Sequence, residues 1–108
     1  MAGFAARLTD AIRARNSVLC AGIDPHMDRL PSLFQHKDQS NAVRDWAFEL
    51  IRLLAGSVPV IKPQAALFEQ LGVRGMAVLA ELSAAAMAEG LMVIMDAKRG
   101  DIGSTAKA

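Results

Sequence analysis

Asp96, Lys98 and Asp101 stand at D-x-K-x-x-D spacing in the segment DAKRGDIGSTA, residues 96–106, directly after the apolar run Leu91–Met95. Two carboxylates beside one ammonium keep it protonated, because each negative neighbour favours the charged form. A positioned cation of this kind can stabilise negative charge as it develops and then deliver a proton. A solvated loop whose acids and bases happen to alternate is the plain alternative. What separates the two readings is whether the rest of the chain builds elements that bring charges to one place.

The run Leu91–Met95 follows Gly90 and is β-branched in its middle, so it reads as a buried strand. Side chains alternate faces along a strand, which sets Met92, Ile94, Asp96 and, with the strand extended, Lys98 on one side. Two earlier runs end the same way. Val18–Ile23 leads into Asp24-Pro25 with Val18, Cys20, Gly22 and Asp24 in phase, and Val58–Ile61 leads into Lys62-Pro63 with Val58, Val60 and Lys62 in phase. Near-continuous apolar strands separated by helical stretches predict a parallel sheet covered by helices, whose ligands sit beyond the carboxyl ends of the strands. Asp24, Lys62, Asp96 and Lys98 are therefore expected at one mouth.

The segments between the strands have helical spacing. Phe4, Leu8 and Ile12 precede the first strand, and Ser40 is placed to cap a helix striped by Val43, Trp46, Leu50, Leu53 and Leu54. Ala65–Leu71 and Met76–Glu89 form a helix pair divided by Gly72 and Gly75 and stopped by Gly90. The polar stretch Pro25–Gln39 is expected to be irregular. Trp46 and the six methionines read as core and gap-filling residues.

Bulk properties narrow the function. At 108 residues and 53% apolar content the chain suits one small domain with an ample core. A net charge of +1 with scattered basic residues gives no footprint for nucleic acid or an anionic membrane. No apolar run approaches the roughly 18 residues of a spanning helix. Arg7, Asp10 and Arg13 interrupt what a signal peptide keeps hydrophobic, so the first helix reads as a plug beneath a barrel in preference to a transit peptide. The single cysteine, Cys20, is expected to be an inert core residue, consistent with a reducing, cytoplasmic compartment. His26 and His36 lie in a polar loop with no third ligand at metal-like spacing. Arg99-Gly100-Asp101 matches an adhesion tripeptide and Gly100, Gly103, Ser104 and Thr105 suggest a phosphate cradle, but both signals are weak without a fuller pattern.

Three motifs in order, AGIDPH at the first strand, VIKPQAALFEQLG at the second and DAKRGDIGSTA at the third, resemble the orotidine 5′-phosphate decarboxylase family, specifically its second, bacterial-type subfamily, from about Phe4 to Ala108. The resemblance implies an α/β fold, the N-terminal part, about three βα units, of a TIM (β/α)₈ barrel. Residues 1–108 would be the N-terminal portion of a single barrel domain of about 250 residues, the remainder being absent. It further implies a cytoplasmic homodimer that converts orotidine 5′-monophosphate to UMP with no metal or organic cofactor. Its catalytic array maps onto Lys62, Asp96, Lys98 and Asp101. Lys98 would protonate C6, Asp96 would face the substrate carboxylate, and Lys62 would hold Asp96 and a ribose hydroxyl. Asp24 would bind the ribose, while Asp101, Ile102 and Thr105 would reach into the partner's site.

Metal-dependent sugar-phosphate decarboxylases and aldolases of the same suprafamily share D-x-K-x-x-D but place an acidic magnesium ligand at the end of the second strand. Here that position is Lys62, whose ammonium would repel the ion. The non-enzymatic alternative is a truncated product that lacks the phosphate grip of the later strands. Losing that grip costs rate as well as affinity, so residues 1–108 alone are expected to be inactive.

Overall fold

The computed structural model describes residues 3–35, 38–97 and 103. His36, Lys98, Asp101, Ile102 and Thr105 lie outside them. Element order is α1 (Phe4–Arg15), β1 (Cys20–Ile23), a 3₁₀ turn at Met27–Arg29, α2 (Ser32–Gln35), α3 (Gln39–Leu54), β2 (Val60–Pro63), α4 (Ala65–Glu69), α5 (Gly72–Ala88) and β3 (Met92–Val93). The strands form one parallel sheet in chain order, β1-β2-β3, with Gly22 paired to Lys62 and Val60 to Met92.

Alternation divides the sheet into two unlike faces. Ile23, Ile61 and Pro63 are fully buried on the face against α3, α4 and α5, where Val43, Ala47, Ile51, Phe68, Leu79 and Leu82 complete the core. On the opposite face Cys20 and Gly22 are exposed, Lys62 and Met92 are half-buried, and Val60 is buried. The expectation of an inert core thiol at Cys20 is thus corrected. An apolar strand is not buried on both faces unless both are covered, and Cys20 points to the open one.

Strand lengths also differ from the apolar runs, for backbone reasons. Val18 and Leu19 are exposed because β1 finds no partner ahead of Val60: the Val58 N–H, in phase with Val60 and so on the β1 side, donates instead to Leu54 O at the exit of α3 (3.0 Å). The third strand is broken by Pro63. Its carbonyl accepts the Asp96 N–H (3.0 Å), so its nitrogen faces the same strand with no proton to give. Pairing therefore lapses after Val93 and resumes as a single bridge between Gln64 and Asp96, leaving Ile94 and Met95 partly exposed.

The helices shift similarly. Asp38, not Ser40, caps α3, its carboxylate accepting the Asn41 N–H (3.1 Å), while Ser40 is buried on the core side. The buried stripe of α3 runs through Ala42, Val43, Ala47 and Ile51; Trp46 is only partly buried and Leu53 faces solvent. Gly75 lies inside α5 instead of before it. A Cβ there would stand 2.0 Å from Phe68 O and 2.6 Å from Leu71 Cβ, so only glycine lets α5 approach α4 this closely. The stretch Pro25–Gln39 is not irregular throughout, since it holds the 3₁₀ turn and α2. Met76, Met87 and Met95 are exposed rather than core.

Phe4 is half exposed and Ala11 is the buried residue of α1. The helix is tied to the amino-terminal end of the sheet by Arg15, which donates to Ala55 O (2.9 Å) and Glu89 O (3.0 Å). Those carbonyls end α3 and α5, where a cation is favoured by the helix dipole. No described helix is long and apolar enough to cross a membrane.

Candidate active site

The charged residues gather at the opposite, carboxyl-terminal end of the sheet. Lys62 sits in β2 on the open face, and its Nζ donates to Asp96 Oδ2 at 3.2 Å. Asp96 is carried there by the resumed β3: its N–H donates to Pro63 O (3.0 Å) and its carbonyl accepts the Ala65 N–H (2.9 Å) at the first turn of α4. Its side chain is 15% exposed against 41% for Lys62, so the carboxylate is the more desolvated partner and the ammonium reaches it from the solvent side. A carboxylate that far from water needs donors, and the strand geometry supplies them.

One donor was not singled out from sequence. Gln64, two residues beyond Lys62 and therefore on the same face, bridges to Asp96 in register. With its amide nitrogen turned toward Asp96, Nε2 donates to the backbone carbonyl (3.0 Å) and to Oδ2 (3.2 Å) of that residue. Its phase with Lys62 was the available signal.

Asp24 follows β1 at the same end and is exposed, with its carboxylate folded back over Gly22. A Cβ on Gly22 would lie 3.7 Å from Asp24 Oδ1, so the glycine leaves the space beside Lys62 clear of side chain. The structure thus brings Lys62 and Asp96 into contact and sets Asp24 just past the end of the neighbouring strand. Lys98, Asp101, Ile102 and Thr105, the remaining expected site residues, fall outside the described residues. Among those described, no three His, Cys, Asp or Glu side chains are grouped around a point that could hold a metal ion.

Chemically, the pair presents an ionised carboxylate, held by an ammonium and an amide, at the mouth of a parallel sheet. Such a group can repel or orient an anionic substrate, and the ammonium can bind hydroxyls beside it.

Residues 17–108 match the family model described as orotidine 5′-phosphate decarboxylase / HUMPS family. The chain is 46% identical to an orotidine 5′-phosphate decarboxylase of Rhodopirellula baltica, an alignment that takes in 100% of this chain and 38% of the relative. It is 44% identical to the protein of that name from a Nocardioides species, covering 100% of this chain and 39% of the relative. Among solved structures it superposes with a TM-score of 0.76 on a Streptomyces avermitilis protein described as an orotidine 5′-phosphate decarboxylase, at 44% identity over 97% of this chain and 36% of that one. The chain therefore spans well under half the length of the relatives it matches, and its fold is α/β, with three parallel strands from the N-terminal part of a TIM barrel. With the family model matched over most of its length, the chain belongs to the orotidine 5′-phosphate decarboxylase / HUMPS family.

Proposed function

We propose that this chain carries the charged half of an active site that decarboxylates orotidine 5′-monophosphate to UMP, a step of pyrimidine nucleotide synthesis, without metal or organic cofactor. The observation that supports it above others is the Lys62–Asp96 pair at the carboxyl end of the sheet. In this reading the C6–carboxylate bond breaks with its electron pair left on C6, carbon dioxide departs, and Lys98 Nζ gives C6 a proton that solvent later replaces. Asp96 faces the substrate carboxylate, so repulsion there is relieved as carbon dioxide leaves, while preorganised cations stabilise the carbanion. Lys62 holds Asp96 and a ribose hydroxyl, and Asp24 binds the ribose. Asp101, Ile102 and Thr105 serve the neighbouring site of a cytoplasmic homodimer.

Lys62 also separates this reaction from those of the metal-dependent relatives, because an ammonium in a ligand position disfavours a bound dication. The full-length protein, purified and exhaustively chelated, should convert orotidine 5′-monophosphate to UMP at an undiminished rate, followed by the shift in ring absorbance as the conjugated carboxylate is lost. Activity lost with EDTA and restored by magnesium would reassign the site to sugar-phosphate chemistry.

A further inference from the structure

Gln64 has no part in the mechanism above, yet its position is closely determined. Its N–H donates to Ile23 O (3.2 Å) on β1 and its carbonyl accepts the Leu67 N–H (3.2 Å) in α4, so the residue is fixed between a strand and the helix that follows. The next residue, Ala65, donates to the same Asp96 carbonyl (2.9 Å) that the Gln64 amide reaches (3.0 Å). Only one orientation of the amide suits this neighbourhood, because the reverse would set its oxygen against two acceptors of Asp96.

We infer that Gln64 is a positioning residue for the reaction proposed above: one amide N–H on the Asp96 carbonyl and the other on Oδ2 fix the plane of the carboxylate that Lys62 pairs with. The inference rests on the decarboxylase reading of the site. Lys62 cannot do this alone. An ammonium is a rotating point donor on a flexible stem, which attracts Oδ2 without defining how the carboxylate is turned. A planar amide that links the backbone and side chain of the same residue restricts the Asp96 side-chain torsions directly. It also does so without charge. A cation in place of Gln64 would weaken the negative field that Asp96 presents to a substrate carboxylate, and an anion would push Asp96 away.

The test separates positioning from binding. In the full-length protein Gln64→Met keeps length and volume while removing both donors. Misdirecting Asp96 should lower kcat about 10–100-fold, as small misplacements of reacting groups do, and leave KM for orotidine 5′-monophosphate within about twofold, because the ribose and phosphate contacts are untouched. A purely structural role would lower the amount of folded enzyme instead, which active-site titration reads. Gln64→Glu, isosteric but anionic, should lose at least as much kcat. Either variant retaining wild-type kcat, or a loss confined to KM, would overturn the inference. An independent readout needs no turnover: the Gln64 side-chain amide resonances should shift in Asp96→Ala. Wild-type protein that fails to process the nucleotide would remove the function proposed above while this shift still reports on the clamp; amide resonances indifferent to Asp96→Ala would remove the clamp itself.

Discussion

Lys62 Nζ and Asp96 Oδ2 meet at 3.2 Å across the β2–β3 boundary, although the residues are 34 apart in sequence. Asp96 is much the more buried of the two, so the contact matters unequally to its partners. The carboxylate, the less solvated partner, depends more on the donors around it.

Lys62→Met tests that asymmetry. Removing the ammonium takes from Asp96 the cation 3.2 Å from its Oδ2 and, in the proposed reaction, the group that also holds a ribose hydroxyl. Activity of the full-length protein on orotidine 5′-monophosphate should fall by about 10²–10³, the range for losing one preorganised electrostatic group. Thermal stability should hardly change, since a partly exposed ion pair is worth about 1 kcal/mol or less. Steady-state kinetics beside a melting curve checks both; full activity in the variant would show that Lys62 is peripheral.

A second expectation concerns how the site is supported from below. Gly75 lets α5 close on α4, and α4 begins at Ala65, whose N–H holds the Asp96 carbonyl. In Gly75→Ala the new methyl cannot coexist with Phe68 O at 2.0 Å, so the helices must part. Overpacking of this kind costs about 1–3 kcal/mol. At about 2 kcal/mol the melting temperature of a domain this size falls by roughly 10 °C. An unchanged melting temperature would mean that α4 and α5 are separated more widely than described.

The strand phases were legible in the sequence because period-two alternation depends only on local spacing. Lys62 and Asp96 could be put on one face, with Asp24 at the same mouth, before any pairing was known. What escaped depended on groups elsewhere. The gap in β3 comes from a missing proton on Pro63 in the adjacent strand, and the late start of β1 from the engagement of the Val58 N–H with α3. Gly75 looked like a helix breaker because its reason is Phe68, on another helix. Gln64 went unassigned since an amide has no charge to advertise and its partner lies on the next strand. Cys20 was misplaced because apolar composition does not say which face of a strand is covered.

Subunit exchange tests the roles of Lys98 and Asp101. If Lys98 serves its own site and Asp101 the neighbour's, each homodimer of Lys98→Ala or Asp101→Ala has two damaged sites. Mixed dimers then hold one site with both lesions and one with neither. Activity should rise on mixing, towards about half of wild type per mixed dimer where the sites are independent. Native mass spectrometry verifies that subunits have exchanged; no recovery after exchange would mean that Asp101 acts within its own subunit or that the sites are coupled.

Cys20 reports on the open face of the sheet. Its thiol shares that face with Gly22, Val60, Lys62 and Met92 and is exposed. In the 108-residue chain it should therefore react with a disulfide reagent as fast as a thiol in a short unstructured peptide, in a single phase and without prior unfolding. In a full-length protein of this family, where further strands close a barrel over the same face, the thiol becomes an interior group and labelling should slow to the rate of local opening. Equal rates in the two would mean that the face remains open in the longer protein. Protection already present in the 108-residue chain would mean that something covers Cys20, a second copy of the chain being the simplest candidate, and dilution of the sample would then restore the fast rate.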